Sequence, residues 1–238
     1  MVHNLEGPVP ADPLMRGGSR RLAWASFAAI TLGIIRTLSV GAWLGLASAA
    51  LVLLALKSRR LVAGAMIAMA LIAVSAFIVL PAERTLDRFN PATGTGLFRL
   101  EIWTSSLHMV ADHPLLGVGL DNYLYLYRTE YILPQAWEEP NISHPHNWLL
   151  QFWLELGLLG VVTAAASVVW IGYRAHRLFR TPIAPGDRTL AAAALGILVA
   201  FLVHGSVDNS YFLVDLATIW WVLMGLLALP TEPAHSDS

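Results

Sequence analysis

The sequence predicts an all-α polytopic membrane protein. It has about six transmembrane helices and one long extracytoplasmic loop that contains an interfacial helix. Three observations carry this. Hydrophobic residues make up 56% of the 238 and charged residues 13%, where an average soluble domain has about 25% charged. Mean hydropathy is +0.60. The apolar residues also fall into runs near the ~20 residues that cross a bilayer. Such a composition excludes an ordinary soluble enzyme, a disordered chain and a nucleic-acid binder. The chain has no cysteine. Disulfide scaffolds and thiolate metal sites are therefore excluded, and the redox compartment stays open.

Five runs are clear, at residues 37–56, 61–80, 148–171, 190–207 and 211–229. A sixth, 22–35, is shorter and reads as a short or tilted span or a re-entrant segment. Arg36 interrupts the apolar stretch, so a turn is expected there. Residues 1–21 form a polar N-terminal tail without the arrangement of a cleavable signal. Residues 230–238 read as a disordered tail. Between them, 22–80 hold spans one to three, 81–147 the long loop and 148–229 spans four to six.

Lysine and arginine orient the chain. Arg16, Arg20, Arg21, Lys57, Arg59, Arg60, Arg174, Arg177, Arg180 and Arg188 all fall on one side, the cytoplasm. The loop 81–147 holds four basic and eight acidic residues and faces outward. A loop of that length is usually functional. Within it, 95–110 reads as a helix beside the membrane. Leu100, Trp103, Leu107 and Val110 recur at helical spacing as an apolar face, with Arg99, Ser106 and His113 on or near the other side. Pro114 ends that helix. Gly117 and Gly119 read as a backbone turn rather than a nucleotide loop, because no strand precedes them and Asn122 replaces the third glycine.

The loop ends in His144-Pro145-His146-Asn147 at the head of a span. Pro145 holds His144 extended. A neutral imidazole at the water boundary suits a general base, and an interfacial cap is the competing reading of His146. A metal site is the weaker reading, since His-X-His lacks two further ligands unless His113 and Glu139 supply them. No metal and no cofactor are expected. Glu155 lies roughly 12 Å along the helix from its start. There it needs an interior partner or handles protons. Asp208 and Asn209 suit the short turn of the last hairpin.

In this topology Arg36, Arg99, His144, His146, His204 and Asp208 all reach the outer face. Two guanidinium groups near a histidine suit a lipid-linked phosphosugar. Arginines that snorkel to the interface are the alternative.

At these residues the chain resembles the O-antigen ligase and O-antigen polymerase (Wzy-type) superfamily. The resemblance rests on Phe98-Arg99-Leu-Glu-Ile-Trp103, on Asp112-His-Pro-Leu-Leu-Gly-Val-Gly-Leu-Asp-Asn-Tyr123, and on His144-Pro-His-Asn-Trp-Leu-Leu-Gln-Phe-Trp-Leu-Glu155-Leu-Gly157. It implies a GT-C-like, metal-independent glycosyltransferase of the bacterial cytoplasmic membrane. The donor it implies is an undecaprenyl-diphosphate-linked glycan, and the acceptor is a lipid or glycan hydroxyl. It maps the family's loop histidine onto His146 and its loop arginine onto Arg99 as catalytic residues. Arg36, Trp103, His144, Asn147, Tyr123 and Asp208 are then expected to bind substrate, with Trp137 and Trp148 as further stacking candidates. Two departures stand out. Val40 occupies the place of the family's Ser-Arg-Gly arginine. The six spans correspond to the C-terminal half of a fold with about ten to twelve, which implies a protein partner if the chain is half-length. The rival readings are a transporter, as proposed for inorganic-carbon relatives, and a non-catalytic subunit of a polysaccharide assembly complex. A transporter calls for inverted repeats or broken helices, and the sequence displays neither.

Overall fold

In the computed structural model, residues 13–37, 39–79, 94–137, 140–181, 185–209, 211–212 and 214–230 are described. The expected tail 230–238, the first part of the loop and Glu139 lie wholly or largely outside them. Among the described residues the regular structure is all helix, without a strand. The helices are α1 (Pro13–Thr37), α2 (Val40–Lys57), α3 (Arg59–Val79), α4 (Gly94–Asp112), α5 (Tyr123–Leu126), α6 (Trp148–Arg180), α7 (Pro185–Gly205) and α8 (Val214–Ala228). A π-helical turn, Tyr127–Tyr131, continues α5, and a 3-10 turn, Pro134–Ala136, follows it. Among the described residues, three helices are long and apolar enough to cross a membrane: Val40–Lys57, Trp148–Arg180 and Gly186–Gly205. Leu216–Ala228 is apolar but shorter.

Each expected apolar run falls in a helix, but α1 begins at Pro13 rather than at 22 and α6 runs on to Arg180 rather than ending at 171. The expected turn after Arg36 falls between α1 and α2, where Ser39 caps α2 by accepting from the Ala42 amide. The helix expected at 95–110 is α4. It ends two residues before Pro114, as a proline without an N–H requires. α1 reaches back into the polar segment 1–21.

α4 presents a different face from the one expected. Its buried residues are Ile102, Ser105, Ser106, Met109 and Val110, whereas Leu100 and Leu107 are exposed. Ser106 belongs to the inner face because its hydroxyl pairs with the buried Tyr123 hydroxyl at 2.9 Å. A polar pair that satisfies itself can be buried at little cost. The exposed leucines leave an apolar stripe outward.

There are two cores. Ile102, Met109 and Val110 of α4 pack on Tyr123, Tyr127 and Leu154 to form the loop core. Ile171, Ala175 and Leu178 of α6 pack on Ala191, Ala194 and Leu198 of α7 and Trp220, Leu223 and Leu227 of α8 to form the bundle core. α2 packs along α7. There, Gly41 and Gly45 make a small-xxx-small seam. A Cβ at Gly45 would sit 3.1 Å from the Ala200 carbonyl oxygen and 3.2 Å from the His204 Cβ.

α6 belongs to both cores because it is broken. Gly157 has φ 65° and ψ −159°, a region open only to glycine. This corrects the expectation that no span is interrupted. The i→i−4 hydrogen bond between the Leu158 amide and the Leu154 carbonyl is exchanged for two bonds to the loop. Leu158 N–H donates to the Leu115 carbonyl at 3.0 Å, and the Val118 N–H donates to the Leu154 carbonyl at 2.6 Å. Trp153 Nε1–H donates to the Pro114 carbonyl at 2.8 Å. An unpaired backbone group in a bilayer costs several kcal/mol, so the splice is what makes the break tolerable. The turn read at Gly117 and Gly119, with φ 67° and 89°, is the segment that enters the break. A Cβ at Gly117 would collide with the Leu154 carbonyl oxygen, and one at Gly157 with that of Leu115.

Candidate functional site

The site is assembled from the start of α6 and the turn between α7 and α8. Asn147 caps α6, its side-chain oxygen accepting from the amides of Leu149 and Leu150 at 3.1 Å. Its amide nitrogen donates to the Ser206 carbonyl at 3.0 Å. The cap therefore also ties α6 to the α7–α8 turn. Aromatic contacts hold the same two elements together: Phe152 meets Tyr211 and Phe212, each with centroids 4.8 Å apart, and Trp148 meets Phe201 at 6.0 Å. Asn209 shapes the turn by accepting from the amides of Tyr211 and Phe212, the Asx geometry such residues favour.

This docking brings Asp208 to His146. The His146 Nδ1–H donates to Asp208 Oδ1 at 3.2 Å, and His204 Nε2 lies 3.9 Å from Asp208 Oδ2. The hydrogen bond from His146 is the first reason that the Asp208 carboxyl is held down at about 2. Asp208 is thus anionic at any working pH. With Nδ1 protonated toward it, the Nε2 lone pair of His146 is left to act. His146 has φ 50°, the left-handed region, which a bulky residue adopts only when its surroundings fix it. Those surroundings include Pro145, fully buried beside it. The Pro145 carbonyl accepts from Trp103 Nε1–H at 2.9 Å. His144 stacks obliquely on His146, with centroids 4.3 Å apart. Burial, and then the neighbouring His146, keep His144 below the ordinary histidine range.

These groups line a cleft of about 700 Å³ together with Leu120, Asp121, Ser143, Gln151, Glu155 and Asn209. Gln151 and Glu155 are buried, at 3% and 6% exposure. Gln151 Nε2–H donates to Glu155 Oε1 at 2.9 Å, which supplies the partner expected for that carboxylate. The Gln151 amide oxygen has no hydrogen-bond partner among the described residues and is available to a bound hydroxyl. A second cavity, an apolar groove of about 360 Å³, runs between α1, α2, α7 and α8. Its lining shares His204 and Leu216 with the polar cleft.

Of the expected site residues, the fold gathers His144, His146 and Asp208 in the cleft. The others are placed elsewhere. Asn147 is the cap, which makes the interfacial-cap reading true of it rather than of His146. Trp103 braces Pro145. Tyr123 is buried in the loop core, 1% exposed and stacked on Tyr127, so it is not a sugar platform. Trp137 is exposed outside the cleft, and Trp148 belongs to the aromatic contacts behind it. Arg99 is half-buried one turn before Trp103, on the same side of α4. Arg36 is exposed at the end of α1, two residues past Ile34 of the apolar groove. Neither arginine lines the cleft. His113 is exposed beyond α4 and is not the third ligand of a His-X-His site. Sequence reasoning passed over Asp121 and Gln151 as cleft residues and missed the helix seam. The seam did leave a readable signal, Gly41-x-x-x-Gly45.

The class these features define is an all-helical protein with membrane-length spans and a histidine–carboxylate cleft joined to an apolar groove. Residues 25–165 match the family described as O-antigen ligase. That is more than half of the chain, and the chain belongs to that family. It is also 21% identical over 147 residues to a protein of Rickettsia conorii named as a polysaccharide ligase. That match covers 60% of this chain but 33% of the relative, so the chain spans about a third of that protein's length.

Proposed function

We propose that this chain transfers a glycan from an undecaprenyl-diphosphate carrier to an acceptor hydroxyl at the outer face of the bacterial cytoplasmic membrane. The observation that carries this is the meeting of the two cavities at His204 and Leu216. A lipid-borne donor needs an apolar path for its chain that opens beside a polar, base-bearing cleft, and the continuity fits that need. The reading takes the chain to have six spans and an outward loop 81–147, with the exposed Leu100 and Leu107 turned to the membrane.

In the reaction the acceptor oxygen attacks the anomeric carbon and its proton passes to His146 Nε2. The bond from that carbon to the diphosphate oxygen breaks, and undecaprenyl diphosphate leaves with the electron pair. Asp208 positions His146 and stabilises the imidazolium that forms. A single displacement inverts the anomeric carbon. Arg99 and Arg36, which lie outside the lining of the cleft, are assigned to the donor diphosphate on the family resemblance and on guanidinium chemistry. Gln151 and Glu155 accept hydrogen bonds from sugar hydroxyls. Val40 carries none of the charge that the family's arginine supplies, which leaves that role to Arg99 and Arg36.

The broken α6, with Glu155 buried in the same span, favours a transporter. It favours it weakly, because the Leu158 amide and the Leu154 carbonyl at the break are taken by the loop rather than turned to an ion.

The test is deletion of the gene in its host, complemented with wild type or with His146→Ala or Arg99→Ala. Lipid-linked glycan should accumulate in the deletion and in both variants, and clear with wild type. Altered polymer length indicates a polymerase, and full-length unattached glycan a ligase. A pool that never changes overturns the transferase reading.

A further inference from the structure

We propose that His144, His146 and Asp208, backed by His204, form a binding site for a first-row divalent cation of the zinc class. One ligand atom from each of the first three lies within 4.8 Å of the other two. Donors around a tetrahedral ion about 2.0–2.2 Å away stand roughly 3.3–3.6 Å apart. The His146 Nδ1 to Asp208 Oδ1 separation of 3.2 Å is just short of this spacing, and the His144 ring stands beside His146 with centroids 4.3 Å apart.

The cluster is held before any ion arrives. Pro145 lies fully buried between the two histidines, and Trp103 holds its carbonyl. Ser143 Oγ lies 3.1 Å from His144 Nδ1, the outer hydrogen bond that typically orients a ligating imidazole through its other nitrogen. His204 Nε2, 3.9 Å from Asp208 Oδ2, stands near enough to be a fourth ligand.

Charge supports the same conclusion. Asp121, Glu155 and Asp208 line the cleft, and no lysine or arginine is among its lining residues. Two or three imidazoles with one carboxylate select zinc-class ions over magnesium and calcium, which take oxygen ligands.

Binding itself does not depend on the transfer reading. Its consequence does: an ion on His146 Nδ1 moves the remaining ring proton to Nε2 and removes the lone pair that would accept the acceptor proton. Zinc is then an inhibitor that competes with the base.

The experiment uses the full chain, free of any histidine tag, in lipid nanodiscs. Addition of Co2+ should give the intense visible absorption of a four-coordinate ion at one equivalent, and Zn2+ should abolish it. His144→Ala and Asp208→Asn should each weaken binding by more than about tenfold, while His108→Ala, at an exposed histidine of α4 outside the cleft lining, leaves it unchanged. On the unmutated protein, Zn2+ should protect His144 and His146 from diethylpyrocarbonate, read by mass spectrometry. This arm holds even where a variant fails to fold. Only the weak spectrum of hydrated Co2+, or modification of both histidines unaffected by Zn2+, overturns the site. Intact glycan transfer with such a negative result would remove the cation site alone. Co2+ binding with no transfer activity would remove the function and leave the site.

Discussion

The two halves of α6 obey different rules. Before Gly157 the helix carries Gln151 and Glu155 into the cleft, contributes Leu154 to the loop core and is stitched to the loop by main-chain bonds. After Gly157 it is largely apolar as far as Gly172, and it packs Ile171, Ala175 and Leu178 against α7 and α8. Arg174 closes the far end by donating from Nε to the Leu227 carbonyl at 2.8 Å, a basic side chain satisfying the last carbonyls of α8. The comparison teaches that one continuous hydrophobic run holds two functions. The first half is a wall of the site positioned by the loop, and the second is a bundle helix positioned by its neighbours.

The largest expected effect attacks the junction between them. Gly157→Ala forces a side chain into a glycine-only conformation and against the Leu115 carbonyl. It should cost more than about 3 kcal/mol, read as lost folded protein in membranes and a lowered unfolding midpoint in detergent. Wild-type stability would show that the two halves are not separated by a splice.

Next comes the chemistry of the first half. His146→Ala should lower transfer by about 10²–10⁴-fold with insertion unaffected. Asp208→Asn should lower the maximal rate with a smaller change in apparent substrate affinity, because it acts through His146. A residue that merely capped the turn would not divide the two parameters in this way.

A moderate effect is expected from the seam that places His204. Gly45→Val should push α2 from α7 and cost about 1–3 kcal/mol, with the second half of α6 undisturbed. Trp103→Phe keeps the ring and loses the bond to the Pro145 carbonyl. It should cost about 1 kcal/mol and lower transfer several-fold through a loosened His144-Pro145-His146. Unchanged transfer would mean that α4 does not brace the first half.

The smallest effect is a pH slope. Burial holds His144 below the ordinary histidine range, so the unfolded chain binds the proton more readily than the folded one. Stability should rise with pH through that range and fall as the pH drops below it. Thermal scans of wild type and His144→Gln should differ in slope there. Identical slopes would remove His144 from the balance.

Much of this was legible beforehand. Hydropathy located the helices, because a chain crossing lipid must satisfy its own backbone and stay apolar for a full span, but not the polar start of α1 or the basic end of α6. The head of α6, His144-Pro145-His146-Asn147, could be read as a site because polar residues crowd there at an expected water boundary. Glu155 could be read as needing a partner, and Gln151, one turn earlier, is that partner. The face of α4 was misread because periodicity locates a stripe of Leu100, Trp103, Leu107 and Val110 but not what lies against it. Only Tyr123, arriving from a later segment, makes Ser106 an inside residue.

The sequence by itself therefore determined the local and the compositional. It set the helices, the turn after Arg36, the stop at Pro114 and the histidines at a helix head, all consequences of neighbouring residues and of lipid as solvent. Tertiary structure alone decided that Asp208 meets His146, 62 residues away, and that Asn147 rather than His146 serves as the cap. It also decided that the turn at Gly117 enters the break at Gly157. Such pairings depend on which surfaces exclude water from one another when the helices assemble, and neither residue spacing nor hydropathy encodes that.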